Sequence, residues 1–183
     1  MTPVPTTGRP HFDADDARIV RRFKRLGPQR DALAAALLPF RDDAGELDRR
    51  AWAAAFDSSD TAAILAVTPV TGLFEGLVNH LMEMLQAAAR LVGLDVVRGP
   101  QRPSGRALAY AVRDDGGLTA NQADVLIRLY ELRNDLQHAS IDVKADQLFD
   151  GIVLLQKTLA RFARSYVEWL ERRGVDLLGR RAT

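Results

Sequence analysis

The stretch TPVTGLFEGLVNHLMEMLQAAARLVG, residues 68–93, decides the fold of this chain. Apolar side chains recur in it every three or four positions, a spacing that places them along one face of an α-helix. They are Val70, Leu73, Phe74, Leu77, Leu81, Met84, Leu85, Ala88 and Leu91. The Thr68-Pro69 pair can open or kink a helix, and Gly93 is typical of a helix end. The pattern predicts a long amphipathic helix whose apolar face must be buried against other elements.

A second long helix is predicted near the end of the sequence. Its apolar side chains are Leu148, Ile152, Leu155, Leu159, Phe162, Tyr166 and Leu170. Ser140 or Asp142 can cap its start, and Arg173-Gly174 is typical of its end. Because the same spacing is kept for more than twenty residues, the pattern indicates one continuous helix.

A shorter helix is predicted between these two. It starts at Thr119, which has Gln122 three positions later and so forms a capping-box pattern. The apolar side chains on one face of this helix are Val125, Leu129, Leu132 and Leu136. Residues 95–117, which precede it, are rich in Gly, Pro and Asp, and only residues 107–112 look regular. We therefore expect a loop with one short helix before it.

The N-terminal third carries three shorter helical patterns, over residues 15–26, 28–38 and 46–56, which Gly27 and Gly45 separate. No stretch alternates with a period of two, and no repeat is visible. The prediction is an all-α fold. A bundle of four to five helices, two of them long, covers residues 58–176, and an N-terminal helical extension covers residues 12–57. Residues 1–11 are expected to be a disordered tail and residues 177–183 a C-terminal tail, since both are poor in apolar side chains.

The amino-acid composition excludes several classes of protein function. The chain has 183 residues and no Cys, which excludes thiolate metal sites, redox pairs and Cys nucleophiles. We expect a cytoplasmic protein without a membrane span, because no run approaches about twenty apolar residues and the opening residues do not resemble a secretion signal. Only three of the 25 basic residues are Lys. Arg is the better phosphate ligand, but we attribute its excess to coding bias, and the net charge of +1 predicts no nucleic-acid partner.

The hexapeptide RNDLQH, residues 133–138, ends the shorter helix. It combines a permanent cation, Arg133, with a His, the residue type that titrates near neutral pH. RNA cleavage needs a proton acceptor, a proton donor and a group that stabilises charge on the phosphorus oxygens, so His138 and Arg133 are candidate catalytic residues. Five residues of helix turn by roughly 140°, whereas Asn134 and His138 share a face. We expect the helix to end near residues 136–138, which would let His138 swing toward Arg133 while Asn134 holds the ring or the substrate.

Arg133, the polar Asn134, three variable residues and His138 resemble the signature of HEPN domains. The resemblance covers about residues 68–174. It implies a helical bundle that acts as a metal-independent endoribonuclease in toxin or antiviral defence systems, with RNA as substrate and no cofactor. It also implies a homodimer whose cleft receives Arg133 and His138 from each chain, with Asn134 and Asp135 supporting them, and an antitoxin protein as a further partner. In some HEPN domains a modifiable Tyr stands where this chain has Ser140.

Other interpretations of these residues stay open. Arg and His are favoured at helix C-termini by the helix dipole, with no function implied. His80, with Asn79 and Glu83, could line the same cleft or face water, and we prefer water. The basic run at 21–25 could contact RNA, but we expect it to face solvent while Phe23 packs inward.

No metal role is expected for the acidic runs at 13–16 and 42–43, which are typical of helix starts and solvated faces. The Gly residues form no phosphate-binding loop or nucleophile elbow, so kinase, NTPase and serine hydrolase functions are set aside. The alternative to a nuclease is a non-catalytic HEPN-like bundle that serves as a regulatory or protein-interaction module.

Overall fold

The computed structural model describes residues 14–138, 143–175 and 177. Within them it is all-helical apart from one isolated antiparallel bridge between Arg41 and Leu47, so the predicted all-α class is confirmed. The α-helices are α1 (Ala14–Ala36), α2 (Arg49–Phe56), α3 (Thr61–Leu91), α4 (Gly105–Asp114), α5 (Ala120–His138) and α6 (Ala145–Arg172). Short 3₁₀ turns cover Leu38–Phe40 and Asp95–Val97.

The helix α3 forms the centre of the bundle, because α1, α2, α4, α5 and α6 all contact it. Its first turn is capped by Asp60, whose carboxylate accepts hydrogen bonds from the N–H groups of Ala62 and Ala63 at 3.0 and 3.2 Å. Pro69 lies inside the helix without ending it, and Gly93 follows the last turn with a φ of +77°. The predicted long helix is confirmed, and its apolar face is the core of the molecule.

One helix, α1, replaces the two that were predicted on either side of Gly27. The prediction was wrong because Gly27 and Pro28 weaken the helix only locally, whereas packing against α3 holds it together. Ile19, Leu26 and Leu33, spaced by seven residues, are all buried. This repeat keeps one face of α1 against α3 over its whole length, and the burial offsets the missing donor of Pro28.

The helix α2 begins at Arg49, three residues later than predicted, and Asp48 caps it. Its Trp52 is fully buried, and the indole N–H donates to the carbonyl of Ala145 at 2.9 Å. The ring of Phe40 meets the indole edge-on, with 5.0 Å between centroids. The N-terminal helices therefore pack into the same core as α6.

Arg49 adds an electrostatic connection between α2 and α6. Its guanidinium donates to Asp146 at 2.8 Å and also to Asp150, and it lies over the ring of Phe149 with 4.4 Å to the centroid. The hydrogen bonds that Arg49 donates to Asp150 and Asp146 raise its pKa above the ordinary value. The three side chains on α6 thus hold the start of α2 in one position.

The start of α5 is as predicted. The hydroxyl of Thr119 accepts from the N–H of Gln122 at 3.2 Å, and the Gln122 side chain accepts from the N–H of Thr119 at 2.8 Å. The helix α6 begins at Ala145, where the N–H of Lys144 donates to the side chain of Gln147 at 2.9 Å. The predicted caps Ser140 and Asp142 lie outside the described residues.

The stretch before α5 contains the predicted short helix and, in addition, the 3₁₀ turn Asp95–Val97. The short helix, α4, spans ten residues rather than six, and Ser104 caps it by accepting from the N–H of Ala107 at 3.2 Å. A Cβ at Gly105 would lie 2.4 Å from the ring of Tyr130, so only Gly allows α4 to approach α5 this closely. The short helix is thus fixed by packing as well as by its cap.

By length and composition, α3 is apolar enough to cross a membrane, since one window of 18 residues has a mean hydropathy of 1.6. Only 28% of that window is buried in the bundle. Large exposed apolar side chains occur near the start of the helix at Ile64 and Leu65, and at Leu38 in the 3₁₀ turn that follows α1. A cytoplasmic location therefore stays a prediction.

Tyr166 on α6 lies at the junction of three helices. It is fully buried, its hydroxyl donates to the carbonyl of Met84 at 3.2 Å, and its ring stacks against Phe23 and Phe162 with centroids 6.2 and 6.4 Å away. The prediction that Phe23 packs inward is confirmed. Burial raises the pKa of the Tyr166 phenol, because the charged form would lose its hydration.

Alkaline pH is expected to destabilise the fold through Tyr166. In the unfolded chain the phenol ionises near pH 10, whereas the folded state keeps it protonated, so the stabilisation is complete below about pH 10 and is lost as the pH rises. Above that pH the free energy of unfolding should fall by up to about 1.4 kcal/mol per pH unit. Urea denaturation at several pH values would measure this. The Tyr166→Phe variant should show a clearly smaller slope, and equal slopes would contradict the assignment.

Candidate functional site

The hexapeptide RNDLQH occupies the last turns of α5, which stays helical through His138. Leu136 is buried, Arg133 and Asn134 are half-buried, and Asp135, Gln137 and His138 are exposed. The predicted helix end near residues 136–138 is confirmed, because the last residue of α5 is His138. The buried Leu136 anchors this last turn in the core. A swing of His138 toward Arg133 stays a prediction.

Asn134 binds Arg133 rather than His138. Nη1 of Arg133 donates to Oδ1 of Asn134 at 2.9 Å. The role expected for Asn134, holding the imidazole, is therefore not what the structure shows. Because Asn134 shares a helix face with His138, one turn further on, this hydrogen bond draws the guanidinium toward the face that carries the imidazole.

A second atom of Arg133 is unusual. Its Nε is buried and has no hydrogen-bond partner among the described residues. A buried donor without a partner costs about 1–3 kcal/mol, and such atoms in native structures are few and call for a specific explanation. Within the described residues, the guanidinium of Arg133 is thus held by its hydrogen bond to Asn134, while its Nε has no partner.

The backbone beneath the motif is rigidly supported. A Cβ at Gly151 of α6 would lie 2.4 Å from Cδ2 of Leu132 and 3.4 Å from the ring of Phe74 on α3. Three helices therefore meet directly before Arg133, as a precisely positioned site requires. Sequence reasoning missed the role of Gly151, although a Gly inside a strong apolar helix pattern is a usable sign of close packing.

The second group of candidate residues lies elsewhere. His80 is 7% exposed, and its Nε2 lies 2.8 Å from the carbonyl oxygen of Arg22 on α1. Glu83 forms an ion pair with the same Arg22, and Asn79 is half-buried. The preference for a water-facing His80 was wrong because α1 covers this flank of α3. Among the described residues, no contact joins these side chains to Arg133 or His138.

Among the described residues, no group of three or more His, Asp or Glu side chains lies close enough together to hold a metal ion. Asp42, in one of the acidic runs, has a structural role. Its carboxylate accepts from the N–H groups of Ala44 and Glu46 at 3.0 and 2.9 Å, which closes the turn before α2.

No protein-family model matches this sequence, and no curated protein or solved structure matches it. The similarity to HEPN domains consequently depends on RNDLQH and on the order of the helices around it.

Proposed function

We propose that this chain is a metal-independent endoribonuclease of the HEPN type, a cytoplasmic toxin or antiviral defence effector. The supporting observation is the hydrogen bond from Arg133 to Asn134 on the face that carries the exposed His138. We infer that this hydrogen bond turns the guanidinium of Arg133, a permanent cation, toward the side of α5 that carries the imidazole of His138, which can exchange protons. The rigid support from α3 and α6 beneath Leu132 is what such a pair needs to act on one phosphate.

The proposed reaction is attack of the RNA 2′-hydroxyl on the adjacent phosphorus. One imidazole takes the proton of the 2′-hydroxyl as the new O–P bond forms, and a second imidazole protonates the 5′-oxygen as its bond to phosphorus breaks. The guanidinium of Arg133 stabilises the negative charge that develops on the non-bridging oxygens. The products are a 2′,3′-cyclic phosphate and a free 5′-hydroxyl, so no metal or redox partner enters the balance.

The need for two imidazoles makes a homodimer part of the proposal. The described part of the chain supplies one exposed His at this site, and His80 is buried against α1. A second copy related by a two-fold axis would bring another Arg133 and His138, which gives one acid, one base and two guanidinium groups. The exposed position of His138 at the helix end leaves it available to such a partner.

Regulation by a partner protein is also part of the proposal. Ser140, which stands where some HEPN domains carry a modifiable Tyr, lies outside the described residues. Since Ser lacks the phenol, an antitoxin of this chain would act by binding over the site rather than by modifying a tyrosine there.

A second candidate function, a non-catalytic HEPN-like interaction module, has one observation in its favour. Ile64 and Leu65 near the start of α3, and Leu38 in the 3₁₀ turn after α1, expose large apolar surfaces, and such surfaces commonly mark protein contacts. In that case RNDLQH would be a capped helix end whose charges interact with the helix dipole and perform no chemistry.

Cleavage in the presence of chelator tests the proposal. Purified protein incubated with RNA and EDTA should generate fragments that end in 2′,3′-cyclic phosphate, because no step of the mechanism uses a metal. Loss of cleavage in EDTA would contradict the metal-free reaction. Induced expression in a bacterial host separates the two candidate functions, since the nuclease should stop growth and the His138→Ala variant should not. Equal growth of the two strains would favour the interaction module.

A further inference from the structure

A cleft of about 550 Å³ opens between α1, the C-terminal part of α3 and residues 97–103. Its volume falls within the roughly 300–1,000 Å³ typical of ligand sites. None of the residues singled out for catalysis lines it, and Glu83 is the only member of the second candidate group that does. The cleft is therefore a feature separate from RNDLQH.

Four arginines from three separate segments converge on this cleft. Arg18 and Arg22 come from α1, Arg90 from the last turn of α3, and Arg102 from the following loop. Of the residues that the structure describes, Glu83, paired with Arg22, is the only acidic one in the lining. Like charges brought together in a concave surface repel one another and focus a positive potential, so the cleft is suited to an anionic ligand.

Two of these arginines are available for such a ligand. Arg90 and Arg102 are exposed, and neither forms an ion pair within the described residues. The helix dipole accounts for a basic residue at the position of Arg90, but it does not account for Arg102, which lies on a loop. Guanidinium groups pair with two phosphate oxygens at once, which makes phosphate the anion that fits them best.

The rest of the lining indicates which kind of phosphate compound binds. Gln86 and Gln101 supply amide groups, and Gly99, Pro100 and Pro103 form the loop wall. Among the described residues, the lining includes no aromatic side chain on which a base could stack. Recognition through phosphate and sugar, without stacking, is typical of sequence-independent binding to a nucleic-acid backbone rather than of a nucleotide-binding pocket.

We propose that this arginine cleft binds the phosphodiester backbone of the RNA strand that is cleaved at Arg133 and His138. The proposal rests on the proposed nuclease function. Phe74, which underlies the motif through Leu132, and Ala87, which lines the cleft, are thirteen residues apart on α3, or about 20 Å along its axis. Thirteen residues also turn the helix by about 220°, so the two places lie on different faces of α3. At a rise of about 3.4 Å per nucleotide, a strand needs more than about six nucleotides to follow the surface between them.

Fluorescence anisotropy with a labelled single-stranded RNA of 20 nucleotides tests the cleft. All proteins carry His138→Ala so that the strand stays intact during the measurement. The cleft variant is Arg90→Glu/Arg102→Glu, and the matched control is Arg50→Glu/Arg164→Glu, which makes the same change in net charge at exposed positions of α2 and α6 outside the cleft. We expect the Kd of the cleft variant to exceed that of the control by about tenfold or more, with a shallower dependence on salt.

Equal affinities of the two double variants would overturn the proposal. So would displacement of the RNA by ATP at a lower concentration than by unlabelled RNA, since the cleft would then be a nucleotide site. If Arg90→Glu/Arg102→Glu does not fold, as judged by circular dichroism, Arg90→Gln/Arg102→Gln replaces it against Arg50→Gln/Arg164→Gln. If the cleft binds RNA but the wild type does not cleave it, the nuclease function alone is refuted. If the wild type cleaves RNA but the cleft variant binds RNA as tightly as the control, the proposal for the cleft alone is refuted.

Discussion

Replacing His138 with alanine is expected to lower the rate constant of RNA cleavage by about 10²- to 10⁴-fold, the usual contribution of a general acid or base. In a composite dimer the substitution removes both imidazoles, so the loss should lie toward the upper end of this range. The free energy of unfolding should change by less than about 0.5 kcal/mol, because the side chain is exposed. Single-turnover kinetics together with urea denaturation measures the two quantities.

Two further variants sharpen this experiment. Gln137→Ala changes the exposed neighbour in the same turn and should leave the rate within about twofold, since an exposed side chain outside the site contributes little. Arg133→Lys keeps the positive charge but loses the planar fork and its bond to Asn134, so it should cost a large part of the rate. A His138→Ala protein that cleaves as fast as Gln137→Ala would remove the basis of the proposed mechanism.

The largest expected effect on stability comes from Trp52→Ala, which should lower the free energy of unfolding by about 3–5 kcal/mol. Trp52 is fully buried, contacts the rings of Phe40 and Phe56, and donates its indole hydrogen to Ala145. The substitution leaves a cavity and an unpaired carbonyl at the start of α6. Urea denaturation followed by circular dichroism measures the change.

Trp52→Phe is the informative companion variant, because it keeps most of the apolar volume and loses only the indole donor. It should be less destabilising than Trp52→Ala. Arg50→Ala, at an exposed position of the same helix, should change the stability by less than about 0.5 kcal/mol. Since α2 shares one core with α3 and α6, unfolding is expected in a single transition. A separate early transition that contains only the N-terminal helices would contradict this.

Structural features that depend only on residues close together in the sequence could be predicted. The structure confirms the apolar faces of α3 and α6, which follow from residue spacing, and the capping box of Thr119 and Gln122, which consists of local hydrogen bonds. The break at Gly27 was wrong because it is a local signal, and the distant contacts of Leu26 and Leu33 outweigh it. Local signals thus fail where burial against another helix contributes more free energy than the propensity of one residue.

The candidate site was only partly predictable for the same reason. The positions of Arg133 and His138 at the end of α5 follow from the helix pattern, but the choice of Asn134 as partner of Arg133 depends on which rotamers the core allows. The contact of His80 joins residues 58 positions apart, and no pattern in the sequence indicates it. The arginine cleft could not be predicted from the sequence either. The net charge of +1 does not indicate that arginines from three separate segments converge in the folded chain.

The hydrogen bond between Trp52 and Ala145 has a consequence for the order of synthesis. The two residues are 93 positions apart, and Ala145 begins the last helix of the bundle. On the ribosome, α1 can pack onto α3 early, but α2 cannot complete its packing until α6 has emerged. The turn that holds RNDLQH therefore gains its full support only after α6 has left the ribosome. The proposed nuclease site would be incomplete while the residues of α6 are still being translated.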